Sequence, residues 1–143
     1  MTRIPLSSQV PLGLLRRVAL FGLLLPYLIS AVSKLLDWPG AQAEVQALTG
    51  IASGFLVAVV AAGVTSLQLV CSLWLLADWR GAWLAGVALS AFTLAATLLA
   101  HTWWGLPVGP ERQHAFNGFW EHIAICCALG FAALVSAREG ADR

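Results

Sequence analysis

The sequence predicts an all-α membrane protein: an antiparallel four-helix transmembrane bundle, one domain over residues 1–143, with both termini cytoplasmic. Three observations predict it. Of 143 residues 59% are hydrophobic and only 10% are charged, where an ordinary soluble domain carries about 25% charged residues. The apolar residues gather into four runs, and about 20 residues of helix cross a hydrocarbon core of about 30 Å. The positive charges are divided unequally between the connections, which sets an orientation. A net charge of +1 supplies no basic field for nucleic acid, so the partner implied by composition is the lipid bilayer.

The first run extends from about Val18 to Leu36, the second from about Ile51 to Ala77, the third from about Ala82 to Trp103 and the fourth from about Phe116 to Ala137. All four are expected to be helical, because hydrocarbon offers no partner for an unpaired backbone group. Arg16-Arg17 ahead of the first run and Ala31-Val32-Ser33 near its end resemble a cleavable leader. The run is longer than the apolar stretch of about 7–15 residues that a leader uses, so it is read as a retained span.

The connections differ. Asp78 to Gly81 is a tight turn, which makes the second and third spans a hairpin. The first loop, DWPGAQAEVQALTG, has Pro39-Gly40 to break the first helix, and AQAEVQAL can form a short interfacial helix. The third loop, GLPVGPERQHAFN, with Pro107 and Pro110, is expected to be irregular. With the N-terminus inside, the cytoplasmic segments hold Arg3, Arg16, Arg17, Arg80, Arg138 and Arg143, and the outer ones hold only Lys34 and Arg112. Trp38, Trp79, Trp83, Trp103, Trp104 and Trp120 fall near span ends, as an aromatic belt does.

Steps of three and four reveal a seam on each helix. Tyr27, Ser30 and Lys34 share one face of the first span. Gly54, Ala58, Ala61, Thr65, Gln68 and Ser72 share one of the second. Gly86, Ser90, Thr93, Thr97 and His101 do so in the third, and Gly118, His122, Cys126, Gly130 and Ala133 in the fourth. Small and weakly polar residues at this spacing let membrane helices approach and hydrogen-bond, so these faces are expected inside the bundle. Cys71, Cys126 and Cys127 lie within apolar runs without a C-x-x-C pair, and read as packing residues rather than a dithiol relay.

The strongest polar groups are expected at one level near the outer leaflet: Lys34 ending the first span, His101 ending the third, Glu121 and His122 in the first turns of the fourth. Gln68 lies deeper. Ionisable residues at membrane depth are candidates for function. Each also has a plainer reading. Lys34 can snorkel to the headgroups, His101 can be an interfacial side chain, Glu121 can answer a helix dipole, Gln68 can tie helices together, and His114 can be simply solvated. No nucleotide loop or nucleophile–base spacing is present, so catalysis would require a partner or a bound cofactor.

The order of these features resembles the DoxX-like family of small four-span membrane proteins. It is carried by YLISAVSKLLD, by LQLVCSLWLLADWRGAWLAGVALSAFTLAATLLAHTWW and by FNGFWEHIAICCALGFAAL, and covers roughly Arg16 to Leu134. There are departures. Gln68 stands where members often have Glu, Glu121-His122 where they often have Lys-Asn, and Cys126-Cys127 near the usual Gly-Gly. The resemblance implies a small subunit in a bacterial inner membrane, associated with quinone-linked redox chemistry. A redox-protein partner or a homo-oligomer is then expected. A quinone is the implied ligand, with His101 or His122 bonding a carbonyl and Glu121 exchanging a proton. A haem between His101 and His122, or a metal on His101, Glu121 and His122, is chemically conceivable but lacks a recognisable spacing. Two other classes stand beside this one: a non-catalytic scaffold of a larger membrane complex, and a small-solute transporter using the polar seam.

Overall fold

A computed structural model describes residues 11–141, and every described element is helical. Arg3 and Arg143, two of the charges used for orientation, lie outside the described residues. Helix α1 spans Leu12–Leu36, α2 Trp38–Thr49, α3 Gly54–Ala77, α4 Ala82–Ala100 and α5 Pro110–Ala141; a 3-10 turn, Trp103–Gly105, lies between α4 and α5. α1, α3, α4 and α5 are long and apolar enough to cross a membrane. The chain is a multi-pass membrane protein in contact with lipid.

Local chemistry sets the boundaries. α1 does not stop at Pro39-Gly40. It stops at Asp37, whose carboxylate accepts a bond from Gly40 N at 3.0 Å and so caps α2. Pro39 sits in the first turn of α2, where its missing N–H costs nothing. Gly50, at φ 70°, closes α2 in the left-handed conformation. The Ser53 hydroxyl caps α3 by accepting from Leu56 N at 3.5 Å. Asp78 (φ 53°) and Gly81 (φ 75°) reverse the chain between α3 and α4.

The third loop differs from expectation. Only its first part is irregular. Pro110 opens α5 and Glu111 occupies the first turn, both favourable at a helix start. PERQHAFN is therefore helical, and α5 begins six residues before Phe116. Pro110, read as a breaker, acts as an initiator.

Side-chain contacts fix an antiparallel arrangement. Arg16 at the start of α1 pairs with Asp78 at the end of α3 and with Glu139 at the end of α5. α4 packs most extensively on α5, α1 and α4 both pack on α3, and α1 only touches α5. α2 caps the other end, seated on α3 and α1. The two ends are called here the Arg16 end and the α2 end.

The core is layered along the bundle axis. Toward the Arg16 end lies an apolar cluster of Leu20, Leu24, Tyr27, Leu75, Leu89 and Leu129, with Ala82 and Ala85. Toward the α2 end the buried positions include Lys34, Thr65, Gln68, Thr93 and Thr97, with Val45, Val57 and Ala61 as a small apolar cluster under α2. The expected inward faces are inward: Tyr27, Lys34, Ala61, Thr65, Gln68, Ser72, Gly86, Thr93, Thr97 and Ala133 are all buried. Gly54 is exposed at the first turn of α3. Gly86 lets α4 approach α5 closely, since a Cβ there would lie 2.9 Å from Ala133 Cβ.

Candidate functional site

The polar groups at the α2 end form two constellations rather than one. The first is built on α1, α2 and α3. Lys34 is 8% exposed, and its Nζ lies 2.9 Å from Glu44 Oε2 and donates to Ser30 Oγ at 2.9 Å. Ser30 in turn donates to Gln68 Oε1 at 3.3 Å. Ser30 and Lys34 stand one turn apart on α1 and so face the same partner. A half-exposed carboxylate is thereby connected to a buried amide through an ammonium and a hydroxyl. A recess of about 450 Å³ opens beside this chain, lined by Ser30, Ser33, Lys34, Asp37 and Glu44 among others. Lys34 does not reach for the headgroups. It turns to an acidic partner supplied by α2.

A separate set of bonds lies within the bundle. Thr93 donates to Leu89 O at 2.7 Å, which leaves its oxygen to accept from the Tyr27 hydroxyl. Thr97 donates to Thr93 O and Thr65 to Ala61 O. These bonds to the preceding turn satisfy hydroxyls that lipid cannot. Ser72, fully buried one turn beyond Gln68 on α3, has a hydroxyl oxygen with no partner among the described residues.

The second constellation is on α4 and α5. His101 caps the end of α4 and its ring centroid lies 4.8 Å from that of His122, with the planes tilted by 42°. His122 Nδ1 is 2.7 Å from Gly118 O. Gly118 also makes room for the neighbour, because a Cβ there would lie 2.8 Å from His101 Cε1. One glycine therefore orients one ring by its carbonyl and admits the other by its missing side chain. At the same end the rings of Trp103, Trp104, Phe116, Phe119 and Trp120 pack on one another at centroid separations of 5.2–6.3 Å, and Arg112 lies over Trp103 at 5.7 Å. The Trp103 indole N–H is buried without a partner among the described residues.

Glu121 is hydrogen-bonded to neither group, although its carboxylate lies close enough to His101 to act on it electrostatically. It is exposed and makes no hydrogen bond or ion pair among the described residues. With α5 starting at Pro110, Glu121 is in the fourth turn, too far along for the dipole at the helix start to act on it. His122 is equally removed from the first turns, and it is its inward direction that brings it to His101. His114 is exposed, as its polar loop sequence implied, although it stands on helix.

The sequence reading missed the polar group at the other end. Arg16 lies 3.6 Å from Asp78 Oδ1 and also pairs with Glu139, while Ser136 donates to Asp78 at 3.3 Å. Arg16 had counted as an orientation charge and as part of a leader-like pair, not as an ion-pair partner. An up-and-down topology places the start of α1, the α3–α4 turn and the end of α5 at one level, and that signal would have found it.

Haem does not fit the histidine pair. An iron held between two ring nitrogens at about 2 Å each separates the ring centroids by about 6 Å, and these stand at 4.8 Å. Among the described residues no three His, Cys, Asp or Glu side chains converge as a metal site requires. Cys126 donates to Ser90 O at 3.5 Å and Ser90 to Cys126 O at 3.0 Å, so this thiol serves the α4–α5 contact.

Comparison with family models, with curated proteins and with solved structures finds no match for this chain.

Proposed function

We propose that the protein is a small DoxX-like subunit of a bacterial inner membrane, oriented with both termini inside, that engages a quinone-type ring at its outer, α2 end and serves a redox partner. The observation that carries this reading is the His101–His122 pair, two imidazoles 4.8 Å apart at the end of the α4–α5 pair that also bears the Trp103, Trp104, Phe116, Phe119 and Trp120 rings. Aromatic faces suit a flat ring ligand, and imidazoles suit its oxygen atoms and its protons. Glu121, exposed beside the pair, is available for proton exchange with the surface. The experiment is extraction of quinone from protein purified in mild detergent, followed by mass spectrometry. A stoichiometric quinone that is absent from His122→Ala supports the reading. Parental quinone content in that variant would sink it.

A scaffold role is favoured by a different observation. Lys34, Ser30, Gln68, Tyr27 and Thr93 are partnered within the chain and join helices to one another. A partner that co-purifies stably from a quinone-free preparation would move this reading ahead.

A further inference from the structure

We infer that the recess beside the α3–α4 turn is a binding site for the headgroup of an anionic glycerophospholipid, with Arg80 at its phosphate. The inference is independent of the quinone reading and concerns the opposite end of the bundle.

A recess of about 600 Å³ opens at the Arg16 end, between the α3–α4 turn and the end of α5. Its size suits a small polar headgroup. Trp79, Arg80 and Trp83 line one side, and Ala137 and Gly140, too small to fill it, line the other. Asp78 and Gly81 hold the turn in left-handed backbone conformations, and the Trp74 indole donates to Arg80 O at 3.2 Å. The backbone that carries Arg80 is thereby fixed.

Charge decides the kind of ligand. Asp78 also lines the recess, but its carboxylate lies 3.6 Å from Arg16 and accepts from Ser136 at 3.3 Å. Arg80 is exposed and has no ion pair among the described residues. The recess thus holds an acid already answered and a cation that is not. The whole end leans the same way. Among the described residues, Arg16, Arg17, Arg80 and Arg138 stand there against Asp78 and Glu139. At the α2 end the balance reverses, with Lys34 and Arg112 against Asp37, Glu44, Glu111 and Glu121. A basic pocket between transmembrane helices suits an anionic headgroup, and a guanidinium meets phosphate oxygens two at a time.

The surroundings suit a lipid rather than a soluble anion. Trp79 and Trp83, 68% and 42% exposed where two spans meet, place the recess at the level where indoles meet headgroups. Their indole N–H groups make no hydrogen bond among the described residues and are open to ester or phosphate oxygens. Toward the middle of the bundle, Leu84 and Val87 on α4 and Leu134 on α5 are exposed and give acyl chains an apolar surface.

The test is native mass spectrometry of the full-length protein in mild detergent, titrated with phosphatidylglycerol or with phosphatidylcholine of the same acyl chains. Phosphatidylglycerol is expected to bind about fivefold more tightly, the effect of one arginine at an anionic headgroup. Arg80→Gln is expected to abolish that preference. Arg17→Gln and Arg138→Gln, at the same end but outside the recess, should keep most of it. No preference in the parent overturns the inference. Equal losses in all three variants would assign the preference to the general field of that end, and the site would fall. Glycerol phosphate that competes as well as the lipid would make the ligand a soluble one. A dimer lost in Trp79→Ala would show that a second copy covers the recess. Either result overturns the assignment to lipid.

Discussion

Gly118 stands so close to His101 that a methyl group in place of its hydrogen would lie 2.8 Å from Cε1 of the ring. Gly118→Ala must therefore move the His101 ring, which is half-buried at the end of α4. The expected cost in stability is small, below about 1 kcal/mol. Binding of a quinone-type ring is expected to weaken about tenfold, because the pair is separated while the Gly118 carbonyl remains. Thermal unfolding in detergent and ligand titration on the same preparation check both halves.

The contact between Gly86 and Ala133 should behave differently, because both atoms belong to long packed helices. A methyl at position 86 would meet Ala133 Cβ at 2.9 Å. Gly86→Ala is expected to destabilise by about 1–2 kcal/mol, with Gly86→Val costing more. Adding Ala133→Gly to Gly86→Ala should recover most of the loss. A double variant no more stable than Gly86→Ala alone would show that the helices do not meet there.

Lys34 and Glu44 are expected to show coupling. Glu44→Gln leaves an almost buried ammonium with Ser30 as its remaining partner. Because the glutamate is half exposed, the expected loss is modest, about 1–2 kcal/mol. Lys34→Met fills the same space without a charge and should cost less than Lys34→Ala. The double variant Lys34→Met/Glu44→Gln should be more stable than the single losses add up to, which a double-mutant cycle measures.

At the other end, Arg16→Gln removes both ion pairs to Asp78 and Glu139. These side chains are partly exposed, so the expected loss is about 0.5–1 kcal/mol. The difference from the parent should shrink as salt is raised through about 0.5 M. A loss independent of salt would mean that Arg16 acts by packing instead.

Orientation is tested by labelling. Gln113→Cys stands at the α2 end and Arg138→Cys at the Arg16 end. In a background lacking Cys71, Cys126 and Cys127, a membrane-impermeant maleimide added to intact cells should modify the first and spare the second. The reverse pattern would overturn the assignment of both termini to the inside.

The four spans and their inward faces were legible in the sequence because lipid allows few alternatives. A helix must satisfy its own backbone, and weakly polar residues have nowhere to go but inside. Thr65, Gln68, Ser72, Thr93 and Thr97 could be placed on that basis alone. What was not legible depended on single side chains choosing partners. Asp37 caps α2 and moves the break in α1 ahead of Pro39. Pro110 opens a helix instead of ending one, which carries Glu121 and His122 away from the helix start. Glu44 looked like an ordinary residue of an interfacial helix, and only packing shows that it meets Lys34. The expected single polar cluster therefore divides in two, on α1–α3 and on α4–α5.

The layering of the core has an electrical consequence. Hydroxyls, an amide and ionic groups occupy much of the α2 half, whereas the Arg16 half is filled by Leu20, Leu24, Leu75, Leu89 and Leu129. Two slabs of unequal polarisability in series divide an applied voltage unequally, and the less polarisable slab takes most of it. A full crossing is worth about 2.3 kcal/mol per charge for each 100 mV. A proton exchanged at His122, or a charge shifted between Lys34 and Glu44, crosses little of that drop. Events at the α2 end are thus insulated from the membrane potential, and the leucine layer acts as the dielectric of a capacitor beneath them.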